Sequence, residues 1–92
     1  MAKAQHNFNV SVTVNNQTGN VIAVYLRIRD GKQAETKEMC NGSAFADYDS
    51  RGRLLGVEMI APCEVEALDR LSKEPKVRKF IRSSAPQHMV LC

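Results

Sequence analysis

The sequence contains little that would support base stacking, membrane insertion or catalysis. It has no tryptophan, two tyrosines and three phenylalanines, so few rings are available to stack on single-stranded bases. No apolar run approaches the roughly 18 residues of a membrane span, and residues 1–7 lack the apolar segment of a signal peptide. We therefore expect a cytoplasmic protein that contacts no membrane. No glycine-rich phosphate loop or GxSxG-like nucleophile occurs, and we predict that the protein is not an enzyme.

Cysteine is too sparse to predict a disulfide framework or a metal centre. The chain has an odd number of cysteines, the three residues Cys40, Cys63 and Cys92. They are widely spaced and include no CxxC pair. Such a pattern is not typical of zinc sites or of disulfide-rich secreted domains. We predict three free thiols, no metal and no cofactor.

Length and charge describe one small domain with a basic C-terminal part. A chain of 92 residues predicts a single domain, residues 1–92, with a thin core. The net charge of +3 is unevenly placed, because residues 73–92 carry most of the excess. In that segment a single acid, Glu74, faces five cations: Lys73, Lys76, Arg78, Lys79 and Arg82.

Apolar periodicity predicts five short antiparallel strands over about residues 8–61. Residues 8–14 alternate without a fault, which predicts a half-buried strand. Residues 21–29 are apolar on both faces in their first half, as in a central strand. Residues 33–39 are polar and charged, which suits an edge strand. The connecting turns are predicted at residues 15–20, Asp30-Gly31 and Asn41-Gly42.

The strongest local signal is the stretch 45–61, FADYDSRGRLLGVEMIA. Two apolar runs flank Asp49-Ser50-Arg51-Gly52, where glycine permits the positive φ that a hairpin loop requires. The stretch therefore predicts a strand, a tight turn and a strand. Alternation assigns the apolar residues of the second strand to two faces, Leu55, Val57 and Met59 on one and Leu54 and Ile60 on the other.

Two helices and a tail complete the predicted fold. Pro62 ends the last strand, and apolar spacing predicts helices over about residues 63–83, with a break at Glu74-Pro75. Residues 84–92 are expected to form a flexible tail. The predicted class is α+β, an antiparallel β-meander of about five strands with one or two C-terminal helices packed on one face.

The predicted sheet has two apolar faces but only one layer of helices. The helices can cover one face, and Ala23, Tyr25, Leu54 and Ile60 would lie on the other. An exposed apolar face of that size is usually covered by another chain. We therefore predict a homodimer through this second face.

Two blocks of the chain follow the pattern of a known family. Residues 25–32, YLRIRDGK, precede Ala34-Glu35-Thr36, and Asp47-Tyr48-Asp49 precedes residues 52–61, GRLLGVEMIA. Over about residues 20–61 this resembles the bacterial domain of unknown function 2283, whose pattern is approximately YIRLRDGKVAET followed by VDYDEDGRLVGIEIL; residues 80–86 echo it more loosely. The resemblance implies a small β-meander followed by a helix, and no known activity. In some bacteria members are encoded beside small RNase-like toxins, so it also implies a conceivable antitoxin role with a toxin-like protein as partner.

An acidic cluster, Asp47, Asp49 and Glu58, is the first group that could carry chemistry. With Gly52 these residues occupy the first, third, sixth and twelfth positions of a calcium-binding EF-hand loop. The fifth position is the cation Arg51, and the flanks are strand-like. The sequence thus favours a solvated hairpin over a weak cation site.

Glu58 lies in an otherwise apolar strand. It could be a functional acid, but the favoured interpretation is an ion pair with Arg27 or Arg29 of a neighbouring strand.

A basic cluster, Lys76, Arg78, Lys79 and Arg82, lies on the second predicted helix. Such a face can contact phosphates or an acidic protein, or can simply be solvated. No helix-turn-helix spacing or interleaved aromatic residue supports nucleic-acid binding specifically. We predict a non-catalytic protein-interaction module, with a nucleic-acid-binding protein as the alternative. A small acid/base enzyme or cation binder using the acidic cluster ranks third.

Overall fold

The computed structural model describes residues 6–91 and contains a five-stranded antiparallel sheet with a C-terminal helix. The predicted α+β class with a meander-like sheet is therefore confirmed. Residues 1–5, part of the segment analysed for a signal peptide, and Cys92 lie outside the described residues. The strands are β1 (Asn9–Val14), β2 (Val21–Arg27), β3 (Glu35–Met39), β4 (Ala44–Tyr48) and β5 (Leu54–Met59).

The strands do not lie side by side in chain order. The order across the sheet is β1-β2-β5-β4-β3, so β2 pairs with β5 and not with β3. The predicted Asp30-Gly31 hairpin is wrong, and Gly31 does not have the positive φ of a tight hairpin turn. Its role is packing, because a Cβ added at Gly31 would lie 2.8 Å from a Leu55 methyl group.

The remaining predicted turns are present. In the β4–β5 hairpin Gly52 has φ +79°, and its amide donates to the Asp49 carbonyl over 3.0 Å. Asn41 and Gly42 also adopt positive φ, within the 3-10 turn Cys40–Gly42 that joins β3 to β4. β3 carries Glu35, Lys37 and Glu38 and lies at one edge, which confirms its predicted place.

The C-terminal third contains less helix than predicted, and the segment predicted as a flexible tail is structured. The first helix, α1, spans only Val65–Asp69, whereas the second, α2, spans Pro75–Ser84. Neither has the length and apolar character that crossing a bilayer requires. The expected flexible tail is instead structured through its last described residue: after the 3-10 turn Gln87–Met89, β7 (Val90–Leu91) pairs in parallel with β6 (Cys63–Glu64).

The hydrophobic core lies between the helices and one face of the sheet. It combines side chains from β2, β4 and β5 with others from the C-terminal segment. Leu54 belongs to it, contrary to the face predicted from alternation, because a register shift at Asp47/Tyr48 places Leu54 opposite Tyr48. The cluster contains Val24, Leu26, Ile28, Ala44, Ala46, Leu54, Val57, Met59, Cys63, Leu68, Leu71, Val77, Ile81, Ala85 and Met89.

The prediction of free thiols is wrong for two of the three cysteines. Cys40 and Cys63 form a disulfide that joins the β3–β4 turn to β6, with 5.7 Å between the Cα atoms. Wide sequence spacing hid this pair, because the fold brings the two segments together. Cys63 is buried in the core, so the bond fixes the start of the C-terminal segment against the sheet.

We predict that this disulfide stabilises the domain by restricting the unfolded chain. Closing a loop of 23 residues is expected to contribute about 3 kcal/mol to the free energy of unfolding. The double change Cys40→Ala, Cys63→Ala should lower the urea midpoint accordingly, and reductant should lower the wild-type midpoint to a similar value. If reductant leaves the wild-type midpoint unchanged while alkylation shows that the bond is open, the stabilising role is refuted.

Candidate interaction surfaces

The sheet edge at β1 exposes a stripe of three valines. By register, Val10 and Val12 lie opposite Leu26 and Val24, so they share the core-side face. Nevertheless no residue of β1 belongs to the core cluster, and the exposed fractions of Val10, Val12 and Val14 range from 41 to 53%. The prediction of a half-buried strand is therefore wrong. We call these three residues the valine stripe.

The two edges of the sheet differ in charge. β3 carries three charged side chains within five residues, which discourages pairing with another strand. β1 has none, and the whole segment 7–26 lacks Asp, Glu, Lys and Arg. Because β1 has a sheet neighbour on one side only, its outward backbone groups and its valine stripe form an uncharged edge.

The basic cluster is present, but it is not a uniform cationic face. α2 buries Val77 and Ile81, which turns Lys76, Arg78 and Lys79 toward solvent. Within residues 6–91 these three cations form no ion pair. Arg82 instead binds the Asp69 carboxylate of α1 through two nitrogens, and this contact holds the pKa of Asp69 below its usual value.

The sheet face opposite the core is more polar than predicted; we call it the open face. Leu54 does not lie on this face. Residues that lie opposite one another across the strands form rows, and these rows place charged or polar side chains beside aromatic side chains. Leu55, expected on the core side, is buried outside the core cluster and lines a cleft of about 340 Å³ at one end of this face. The two rows across the strands are Tyr25, Glu58, Phe45 and Glu38, followed by Arg27, Gly56, Asp47 and Thr36.

The acidic cluster is divided between the open face and a turn. Asp47 accepts a hydrogen bond from Thr36 Oγ1 at 2.6 Å, and Glu58 lies in the adjacent row. Asp49 closes the hairpin by accepting hydrogen bonds from the backbone amides of Arg53 and Arg51. The hydrogen bond from the Arg53 amide is the main cause of the lowered pKa of Asp49. Within residues 6–91 no three potential metal ligands come together.

The predicted ion pair of Glu58 with Arg27 or Arg29 is wrong. Arg27 donates to Asp30 at 2.9 Å, and Arg29 turns to Glu74 in the C-terminal segment. Tyr25 and Phe45 lie directly across the sheet from Glu58, on either side. Its carboxylate is exposed to solvent, which removes the need for a partner.

Tyr25 was not singled out by sequence reasoning, yet it organises the centre of the open face. Its ring crosses Gly56, where an added Cβ would lie 2.0 Å from the tyrosine oxygen. The hydroxyl then reaches Asp47 at 3.5 Å. Burial raises the pKa of Tyr25, and the nearby Asp47 carboxylate raises it further. A glycine inside an apolar strand was the available signal, because it marks close approach by another group.

We predict that Gly56→Ala has opposite effects with and without this ring. In the wild-type chain the new Cβ displaces Tyr25, and we expect a loss of about 1 kcal/mol or more in the free energy of unfolding. In a Tyr25→Ala chain the same change should stabilise the strand by about 0.5–1 kcal/mol, since alanine loses less backbone entropy than glycine. Urea unfolding of the four chains measures both effects, and equal effects in both backgrounds would exclude the steric explanation.

A clasp of His6, Arg29 and Glu74 ties the N-terminal segment to the start of α2. The buried Arg29 donates to Glu74 Oε2 at 2.5 Å, and His6 Nε2 lies 3.2 Å from Oε1 of the same carboxylate. Beside it Phe8 stacks between His6 and Phe80, with ring centroids 5.0 and 4.4 Å away. No local pattern predicts this clasp, because its members come from three distant segments of the chain.

Because Glu74 is ionisable, the clasp makes the free energy of unfolding depend on pH. Hydrogen bonding from Arg29 is the main cause that lowers the pKa of Glu74 from its usual 4.5. The clasp therefore contributes fully above pH 4.5, and its contribution is lost as the pH falls below 4.5 through the folded-state pKa. We expect Glu74→Gln to lower the urea midpoint at neutral pH and to flatten the loss on acidification. Glu66→Gln, at an exposed carboxylate, is the control; a Glu74 variant with the same acid dependence as the control would disprove the linkage.

No family model, curated protein or solved structure matches the chain.

Proposed function

We propose that the protein is a non-catalytic protein-interaction module that engages another polypeptide through the β1 edge. The observation that carries the proposal is the valine stripe, exposed at an uncharged, unpaired edge. Open edges of this kind accept an additional strand through backbone hydrogen bonds, with alternate side chains supplying apolar contact. A homodimer is within this proposal, and so is the toxin-like protein partner that the family resemblance implies.

The contacts of the acidic cluster support a structural role for these residues. Asp49 is bonded within its own turn. Asp47 accepts hydrogen bonds from Thr36 on the adjacent strand β3 and from Tyr25 on β2, which lies beyond β5. These carboxylates hold the hairpin and the open face. The sequence predicts a homodimer through the open face. We propose a homodimer through β1 instead, because the open face is polar and the valine stripe is not.

Nucleic-acid binding through α2 is the second candidate, favoured by the outward cations Lys76, Arg78 and Lys79. Three phosphate contacts would give a logarithmic salt slope of about −3. The pairing of Arg82 with Asp69 weakens this candidate, since it diverts the fourth cation of the cluster.

The proposed location is the cytoplasm. The Cys40–Cys63 bond stands against it, because protein disulfides are rare there. The fraction of the two thiols trapped by alkylation in intact source cells tests the location directly.

Affinity capture separates the two functions. Tagged wild type, Val12→Lys and the triple change Lys76→Gln, Arg78→Gln, Lys79→Gln are incubated with lysate of the source cell, with and without nuclease treatment. We expect wild type and the triple variant to retain one stoichiometric polypeptide, which can be a second copy of this chain. Val12→Lys should lose that polypeptide. Ile60→Lys, at a similarly exposed apolar residue outside β1, is the matched control.

Two results would contradict the proposal. Capture that is abolished by nuclease and by the triple change would favour nucleic-acid binding. Retention of the same polypeptide by Val12→Lys would place the contact outside the β1 edge.

A further inference from the structure

We infer that the occupant of the β1 edge is a second copy of this chain, joined antiparallel about a two-fold axis at Val12 to form a continuous ten-stranded sheet. The inference rests on the proposed function and specifies its partner. It is carried by the side-chain pattern of β1, by its charge and by the geometry of its pairing with β2.

The side-chain pattern of β1 is self-complementary. A two-fold axis at Val12 places Val12 opposite its own copy and Val10 opposite the copy's Val14. On the other face of the strand the same register sets Ser11 opposite Thr13, and hydroxyl pairs of this kind are favourable across strands. Every residue of the strand thus meets a side chain of its own type.

The symmetry also accounts for the side on which the stripe lies. A two-fold axis perpendicular to the sheet keeps the core-side faces of both copies on one side. The two valine stripes then become adjacent and continue the apolar layer that begins at Val24 and Leu26. A parallel arrangement about an axis along the strands would place the stripes on opposite faces, where neither covers the other.

Charge favours a second copy over an arbitrary strand. In an isologous contact every charged residue near the axis meets its like, which is destabilising. β1 contains no charged residue, whereas the same operation on β3 at Lys37 would set lysine against lysine. The edge that can pair with itself is also the edge with the uncovered valines.

The strand is regular enough to pair over its full length. The irregularity in the β1–β2 ladder has Thr13 opposite Ala23 but Val14 opposite Val21. The extra residue, Ile22, therefore belongs to β2 and leaves β1 without an inserted residue. Five residues of each β1 strand pair, which makes a small interface, so we expect a reversible dimer at micromolar concentration.

Sedimentation velocity of the purified full chain over a micromolar to high-micromolar range tests the inference. We expect a concentration-dependent shift from the 10.3 kDa chain to a species of twice that mass. Val12→Lys should weaken the dimer at least about tenfold by opposing two charges at the axis. The matched Ile60→Lys chain should retain wild-type association, and circular dichroism verifies that both variants are folded.

The position of the axis has its own measurement. In a Cys92→Ser background, Val12→Cys should be joined to its copy by a short bis-maleimide, whereas Ile60→Cys should not. A 10.3 kDa species at the highest concentration, or a dimer unaffected by Val12→Lys, would overturn the inference. Monomeric protein that still captures a different polypeptide in a Val12-dependent manner would overturn the dimer and leave the interaction module standing; loss of both would refute both.

Discussion

The amount of helix available limits how much of the sheet this chain can bury. α1 and α2 contain five and ten residues, and their buried side chains meet β2, β4 and β5 in one cluster. Coverage ends before β1, where the ring of Phe80 reaches Phe8. The valine stripe beyond it has the apolar pattern of a core strand, but within residues 6–91 no helix covers it. Its exposure follows from this shortage of covering helix.

Three contacts compensate for the thin core, because they fix the C-terminal helical segment against the sheet. The disulfide secures β6 to the β3–β4 turn, the clasp at Glu74 holds the start of α2, and Tyr48 donates to the Leu71 carbonyl at 3.0 Å. Each contact joins the C-terminal segment to a different part of the sheet. Their distribution explains why a ten-residue helix with two fully buried side chains keeps a defined position.

Much of the fold could be predicted because its signals are local. Gly52 and Asn41-Gly42 mark turns through backbone conformations that few other residues adopt readily. Apolar patterning between turn signals located all five strands, and the charges of β3 identified one edge. Strand order could not be read in this way, since Asp30-Gly31 indicates a change of direction but not which strand the chain joins next.

The faces of β5 show why alternation alone is insufficient. Side chains alternate only relative to a register, and a shift of one residue exchanges the two faces. The shift beside Tyr48 moved Leu54 into the core and left Leu55 outside it. This change removed Leu54, one of the four residues that were predicted to form the apolar dimer face.

The candidate surfaces were predicted as residue types rather than as contacts. The residue types of the second helix predict the basic cluster, but the bond from Arg82 to Asp69 depends on how α1 packs against α2. The pair formed by Arg29 and Glu74 spans 45 residues, and sequence spacing carries no information about it. Exposure of the valine stripe was likewise invisible, since a strand with the same pattern would be half-buried under a longer helix.

The unequal edges of the sheet also determine how far association can proceed. The proposed pairing through β1 would use the uncharged edge of both copies, so the edges left in such a dimer would be the two β3 strands. These carry Glu35, Lys37 and Glu38 and resist further pairing. An isologous contact that consumes the only self-complementary edge of the described sheet closes on itself, whereas an uncharged strand at both edges would propagate into a fibre. The charge asymmetry would thus limit the proposed association at β1 to two copies.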